Sequence, residues 1–596
     1  MRRIGFLSLA ASLALAAFAL AAPAPAAPAL AAPAQAARAT VVLVWSVSDP
    51  MSSFADVRRM DVALRAPFEI GALVSALHDH PGARFAIEVA PDYVAALRAA
   101  AVDPLGAAVQ TPDAESGEHT RDVLGILTHV PLMDAATAAS NGGLALVAYA
   151  VRARCDLNGN ANCRMRPSEM QRAAALHAAA SLAMMGSAAA RALLHAPPAG
   201  ADALSTAAGT LLAQAARQSA AQFEAALKSG ALEAVATPDG DPILPLLIDS
   251  GGKSASDPTA IPLDASADAV MLIANALATA ATLNKDARAG LSSPFGAYDD
   301  AAAQAIGTAG ARFAIFSSRV VRASQAGGSV AALGAANAAP YQLYDLQTSK
   351  STHTPVLFWD DASSQALESI APSSPPEAFA NRLAALAQNA AIAAPGVPAM
   401  IALRVRLDQL WAQRADAPAV ISDVARTLGA RDASATPSEY VEAHQRAVPV
   451  YGFPSGSSLG TLDAFDGTPN QQALWSALAA ARFAASGGGI VTSTTARSLI
   501  LRAEAGTWYR VPELPLPPDE VRSEIDRFRS LLAGVYRAAG KTPPATIAPQ
   551  RTPAPSPAPA SAVPHSSPAP ASAAPNASPA PVSATPKPSP SYPQGL

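Results

Sequence analysis

Cysteine is almost missing from this chain, basic clusters are missing beyond its first residues, and long apolar runs are missing past its N-terminus. Two cysteines, Cys155 and Cys163, leave room for one disulfide at most. A net charge of −4 with no basic block excludes nucleic acid as a partner, because phosphate binding needs clustered lysine and arginine. No stretch after the N-terminal one reads as long and apolar enough to span a bilayer. No internal repeat organises the 596 residues, so repeat architectures are set aside.

What is present begins with Arg2 and Arg3, then an uncharged apolar run from Ile4 to Ala22, then Ala/Pro-rich sequence with small-x-small sites. This reads as a secretory signal cleaved between about Ala22 and Ala39, with a retained anchor as the alternative. From Lys541 onward the composition becomes proline, alanine and serine, which cannot bury a core and predicts an extended tail. Such a tail is either a spacer through a cell-envelope layer or a disordered end with no dedicated partner. Between the two ends lie roughly 500 residues, enough for one large barrel and a smaller domain. In an exported chain Cys155 and Cys163, in CDLNGNANC, read most simply as a local disulfide. The alternating Asp156, Asn158, Asn160 and Asn162 also suit an oxygen-ligand calcium loop, but that loop lacks the downstream bidentate glutamate.

The β-branched run Ala39–Ser46 predicts a buried first strand, followed by helical sequence near Pro67–His78 and a second strand at Arg84–Val89. Strand, helix and strand in that order are the signature of a parallel sheet with crossover helices. Further strand-like runs lie at Leu232–Ala236, Arg312–Phe316, Thr354–Phe358 and Ala399–Arg404. Ala-rich helices are predicted at Ser168–Leu194 and Ala203–Ser229, and more helices at Gln471–Ala485, Ala496–Glu504 and Asp519–Ala539. The expected class is α/β: a distorted or incomplete (β/α) barrel followed by a small helical domain, with a disordered Pro/Ala/Ser-rich tail. An open α/β sheet would give the same local signals.

Several stretches, read together, resemble glycoside hydrolase family 57, whose members act on α-glucans. Gly230–Gly252, GALEAVATPDGDPILPLLIDSGG, follows the family's GQIEIATTPYYHPILPLL pattern, with Glu233, Thr237, Pro238 and Pro242 matching. Two aromatic positions there are Asp239 and Gly240, and a histidine position is Asp241. In Ser292–Ser318 the resemblance places the nucleophilic glutamate just before Gly296, where Phe295 stands. Trp45 and Pro50 match the ends of a Trp-x-His-x-His-Gln-Pro strand end, which here reads WSVSDP, with Asp49 before the proline and without either imidazole or the glutamine. Leu357–Asp361 lies on a Phe-Phe-Arg-Asp pattern whose aspartate is the general acid/base, a slot filled by Asp360. A later Asp-Gly-Glu-Asn strand end is replaced by Arg404-Val405-Arg406-Leu407. LRAEAGTWYR keeps Glu504 and Trp508 of the family's Ala-Glu-Gly-Ser-Asp-Trp run. The likeness runs from about Thr40 to Pro544, and it is better at apolar and turn positions than at sugar-facing ones.

Retaining glycoside hydrolysis takes two carboxyl groups about 5–5.5 Å apart. Phe295 cannot form a glycosyl ester, so the family mechanism cannot run as written. Asp299 and Asp300 follow closely but suit a helix cap. An inverting route through Asp360 with Asp241 or Asp49 is the chemical alternative. Asp360-Asp361 reads as either a coupled pair or two solvated loop acids. Glu233 reads as either a barrel-interior group or a sugar ligand. Trp45, Trp359 and Trp508 are either sugar platforms or ordinary core residues. His78 and His80 suit a helix C-terminus rather than a metal site.

The expectation is an exported, periplasmic, envelope or extracellular protein whose site has lost its nucleophile. Asp360 stands in the acid/base slot, with Trp45, Asp49, Glu233, Asp241 and Trp508 as substrate contacts. An α-glucan or other polysaccharide is the expected partner, with no nucleic acid, no cofactor and no metal. The expected domains are 1–38 (signal), 39–437 (barrel), 438–544 (helical) and 545–596 (tail), with envelope association through the tail.

Overall fold

The computed structural model describes residues 39–47, 55–102, short pieces between 175 and 198, 201–249, 263–326 without 287–288, 339–349, and 352–547 with breaks of one to three residues. The signal segment, Asp49, Cys155, Cys163 and the tail after 547 lie outside the described residues.

Nine strands are described: β1 (Thr40–Ser46), β2 (Phe85–Val89), β3 (Leu232–Ala236), β4 (Leu291–Ser292), β5 (Ala314–Ser317), β6 (Tyr344–Ser349), β7 (Thr352–Trp359), β8 (Met400–Arg406) and β9 (Val448–Val450). Seven of them, in the order β1-β2-β3-β4-β5-β7-β8, are joined by parallel pairings, and β8 returns to β1. The sheet is therefore a closed barrel rather than an open one. β6 lies antiparallel on β7 outside the ring, and β9 extends it in parallel. The chain thus stays with the barrel sheet through Val450.

Period-two alternation gives each strand two destinations. Inward-facing Val42, Val44, Ala86, Val235, Phe313, Ile315, Leu357, Trp359, Met400 and Ala402 form one cluster. The alternate residues, among them Leu43, Trp45, Phe85, Ile87, Phe316, Phe358 and Leu403, join a larger core under the surrounding helices. A barrel of this size is filled by side chains and leaves no pore.

The N-terminal mouth is closed by helix Pro437–Ala443, which opens with a Thr436/Glu439 capping box. Tyr440 enters the inner cluster, and its hydroxyl donates to Pro398 O at 2.8 Å. Glu233, near the start of β3, accepts from the backbone N–H of Ser438 (2.9 Å) and from its hydroxyl (2.6 Å). Gly290, one residue before β4, makes room for the Phe313 ring. A Cβ on Gly290 would lie 2.0 Å from Phe313 Cζ.

Helix Ser266–Asn284 does reach the length and hydropathy of a membrane span, contrary to the sequence expectation. Its face of Ala269, Leu272, Ile273, Ala276, Leu277 and Ala280 is nevertheless buried in the protein core. The same helix ties the barrel to the helical domain, formed by Pro469–Ser486, Thr494–Ala503 and Pro518–Ala538. Its Asp268 pairs with Arg482, which also donates to Glu504 Oε1 at 3.3 Å. Glu504 is fully buried, and burial, partly offset by Arg482, pushes its carboxyl up to about 8. Sharing one arginine between two acids leaves the more buried acid protonated.

Two outcomes are expected. Gly290→Ala forces Phe313 to shift inside a filled barrel and lowers stability by about 1–3 kcal/mol in urea unfolding. Below about pH 4.5 Glu504 is protonated in both the folded and the unfolded chain. Between about 4.5 and about 8 only the folded chain keeps that proton, so stability falls as pH rises through this window. Glu504→Gln removes this dependence. Its advantage over the wild type in urea unfolding grows between pH 5 and pH 8, by on the order of a few kcal/mol.

Candidate functional site at the C-terminal mouth of the barrel

Strand ends at the opposite mouth carry the polar residues, and the first of these is buried in the lumen itself. Glu88 of β2 faces inward with 1% of its side chain exposed. Arg404 of β8 meets it in a two-pronged pair: Nε lies 2.9 and 3.0 Å from the two carboxylate oxygens, and Nη2 lies 2.8 Å from Oε2. Ser292 donates to Glu88 Oε1 at 2.6 Å, and Arg404 Nη2 donates to Ser46 Oγ at 2.8 Å. Burial alone would raise the Glu88 carboxyl, but the Arg404 charge and these hydrogen bonds hold it below the usual carboxylate range. The guanidinium lies over the Trp359 ring, with Cζ 5.4 Å from its centroid, and keeps 22% of its side chain in solvent.

Asp360 and Asp361 follow β7 and point to different partners. Asp360 is buried, and its Oδ2 accepts from Tyr341 (2.8 Å) and Ser363 (2.9 Å) while Arg322 Nη2 lies 3.5 Å from Oδ1. Burial, then the Asp360 charge, pushes the Tyr341 phenol up to about 12, so Tyr341 stays the donor. Asp361 accepts from Ser317 (2.7 Å), Ser318 (2.9 Å) and Trp359 Nε1 (2.9 Å). Asp360 and Asp361 are therefore individually solvated by protein donors rather than a solvated loop pair.

The helical domain completes the rim. Gly506 N lies 3.2 Å from both Gly240 O and Asp241 O. A Cβ on Gly506 would sit 2.4 Å from Asp241 O and 2.9 Å from Phe295 Cε2, so this approach requires glycine. Phe295 and Asp241 both have positive φ, 54° and 47°, which is strained for side chains of their size. Gly296 has φ 59°, and a Cβ there would lie 2.6 Å from Ser317 N and 2.7 Å from Trp359 Cζ2. The Phe295 ring meets Phe465 edge-on at 5.2 Å and lies under Arg510, whose Cζ is 5.9 Å from its centroid.

Of the residues expected from sequence, the structure brings Asp360, Asp241 and Phe295 to this mouth. It does not bring three others. Trp45 faces outward from β1, fully buried against Phe85 at 5.9 Å, because one position along a strand reverses the face. Glu233 sits at the N-terminal mouth, where Ser438 engages both its oxygens and burial raises its carboxyl. Trp508 is buried in the helical domain against Phe528, with Nε1 donating to Arg502 O at 2.9 Å. Asp299 caps helix Asp300–Thr308, accepting from Ala302 N at 2.7 Å, and Tyr298 donates to Asp300. Sequence reasoning missed Glu88 as a rim residue and read Arg404 only as a departure. The signal was present: a charge inside a wholly apolar strand needs a partner of opposite sign.

Chemically, the mouth is a set of hydroxyl and guanidinium donors around carboxylates that already have partners. Arg404→Met is expected to lower stability by about 3 kcal/mol in urea unfolding, because it strands the Glu88 charge. Adding Glu88→Met recovers most of that loss, since an apolar pair of similar volume replaces a buried ion pair at little cost.

No protein-family model and no curated protein matches the sequence. Solved structures do match. A GH57 branching enzyme from the hyperthermophilic archaeon Thermococcus kodakaraensis, determined in complex with glucose, aligns with a TM-score of 0.51 at 11% identity, over 84% of this chain and 90% of that one. The α-amylase AmyC from Thermotoga maritima gives 0.49 at 9% identity, over 84% and 93%. The 4-α-glucanotransferase from Thermococcus litoralis gives 0.46 at 11%, over 84% and 60%. At these identities the likeness is one of fold, and the parallel seven-strand barrel with its helical domain is a GH57-like fold.

Proposed function

We propose that this chain is an exported protein of carbohydrate metabolism that binds a polysaccharide at the C-terminal mouth of its barrel without cleaving it. The observation that carries this reading is Phe295. It occupies the position where the resemblance to glycoside hydrolase family 57 places the nucleophilic glutamate, and a phenyl ring forms no glycosyl ester. The carboxylates around it do not replace that group. Glu88 is neutralised by Arg404, while Asp360 and Asp361 each accept several hydrogen bonds from neighbouring side chains. A retaining route would need one free nucleophile and one proton donor close together.

Binding is favoured over a purely structural role by the strain kept at the mouth. Left-handed Phe295 and Asp241 converge on Gly506, and strain of this kind concentrates at binding and active sites. The carbohydrate class comes from the structural neighbours, which are a branching enzyme, an amylase and a glucanotransferase. Export is supported by Arg2, Arg3 and the apolar run that follows them.

The test is sugar release or transfer from maltooligosaccharides and amylose by the purified protein and by Asp360→Asn, with binding to the same sugars measured in parallel. Saturable binding to a glycan without turnover is the expected result. Turnover that Asp360→Asn abolishes would overturn the reading and establish a relocated second carboxylate. Absence of both binding and turnover would overturn the reading for neutral α-glucans.

A further inference from the structure

The mouth described above has an unbalanced charge at its helical-domain side. Arg404 and Arg406 each have an acid: Glu88 for the first, and Glu368, 3.5 Å from Arg406 Nε, for the second. Arg510 has none among the described residues. It is half-buried between two short 3-10 turns, Gly506–Tyr509 and Val511–Glu513, and its contact is the face of Phe295. Burial, and then the charge of Arg406, holds its guanidinium below the ordinary arginine range. A half-buried cation near a second cation, with an aromatic face as its partner, is an unfavourable arrangement that a bound anion would relieve.

The positions of the two stacked arginines make this a site rather than a stray charge. Arg404 lies on Trp359 and Arg510 on Phe295. Trp359 adjoins Gly296, since a Cβ there would lie 2.7 Å from Trp359 Cζ2, and Phe295 is the residue before it. The two guanidinium groups therefore flank one aromatic patch held together by Gly296. Arg406, with 37% of its side chain exposed, lies two residues beyond Arg404 at the end of β8. Glu88, Asp241 and Asp360 are buried, while the half-buried Asp361 is held by Ser317, Ser318 and Trp359 and the half-buried Glu368 by Arg406. The guanidinium forks suit a pyranose bearing a carboxylate, which accepts two parallel N–H bonds from arginine. A neutral glucan would bury Arg510 further and offer its charge nothing.

We infer that the mouth binds an acidic saccharide, a uronate-type chain whose carboxylate pairs with Arg510 and Arg406. This rests on the glycan-binding reading above and adds the class of glycan. It assigns position 295 a present use: its aromatic ring forms a platform for Arg510.

The experiment compares pentagalacturonate with maltopentaose by isothermal titration calorimetry on the full chain, at low and at high salt. The two sugars share the α-1,4 linkage and differ in the carboxylate at C6 and in the configuration at C4. A pentaglutamate peptide serves as a control for charge alone. The expected result is pentagalacturonate binding at least tenfold tighter than maltopentaose and weakened by salt. Arg510→Gln should lower that affinity tenfold or more and shrink the ratio between pentagalacturonate and maltopentaose affinity. Arg406→Gln, at a more exposed position, should lower it in the same direction, and serves if Arg510→Gln fails to fold by circular dichroism. Equal binding of both sugars, indifferent to both substitutions, would overturn the acidic class and leave glycan binding standing. Pentaglutamate binding as tightly as pentagalacturonate would overturn the saccharide assignment, and failure of all three to bind would overturn both readings.

Discussion

A carboxylate inside a closed barrel must be matched by a cation, and the Glu88–Arg404 pair is that match. The lumen is lined by Val42, Val44, Ala86, Val235, Ile315, Leu357 and Ala402, which offer a charge no hydrogen bond. Arg404 satisfies Glu88 with three contacts and reaches Ser46, while Ser292 donates from the far side of the ring. The network therefore joins β1, β2, β4 and β8, four of the seven strands. It fixes how the strand ends face each other, and so fixes where Trp359, Asp360 and Asp361 come to lie. Opposite-charge pairs of this kind add less to net stability than to the uniqueness of the arrangement, since desolvation offsets most of the Coulomb gain.

That commitment separates the scaffold from the chemistry. Glu88 is locked to an arginine, and Asp361 has three donors around one carboxylate. The barrel nevertheless keeps features that packing alone does not demand. Phe295 and Asp241 hold left-handed conformations that an ordinary loop would relax. Gly296 and Gly506 are positions where any Cβ would collide with the opposing wall. These contacts press the helical domain onto the barrel mouth, so the domain is part of the rim and not an appendage. The Asp268–Arg482–Glu504 group does the same on the outer side, linking barrel helix and domain through one shared cation.

Much of this was legible in the sequence because the determining signal was local. The runs at 40–46, 85–89, 232–236 and 400–406 are apolar on both faces, as strands buried inside and outside a barrel must be. Caps at Thr468 and Ser493 and the apolar helix faces behind them shape the helical domain. Closure was not legible. It depends on β4, two residues long, and on the β5–β7 pairing, which skips β6. β6 itself, YDLQTS, has too few apolar residues to announce a strand, and its place is set by pairing with β7 and β9.

The site residues failed or held for a different reason, which is direction. A strand gives a residue one of two faces, and a sequence pattern that is apolar throughout does not say which. Trp45 and Ser46 are neighbours, yet one packs under the helices and the other bonds Arg404 in the lumen. Glu233 and Glu88 both face inward on adjacent strands, but at opposite ends of the barrel. One closes the N-terminal mouth through Ser438, and the other organises the C-terminal one. Position along the strand, not residue type, decided which glutamate could matter for a ligand. The register supplies that position: Glu233 pairs with Ala86 near the start of β2, whereas Glu88 pairs with Ser46 at the end of β1. In a parallel barrel loops at the strand C-terminal ends build the binding face, so the residue one turn of the pleat further along comes to lie at that face and the earlier one is left to hold the opposite end.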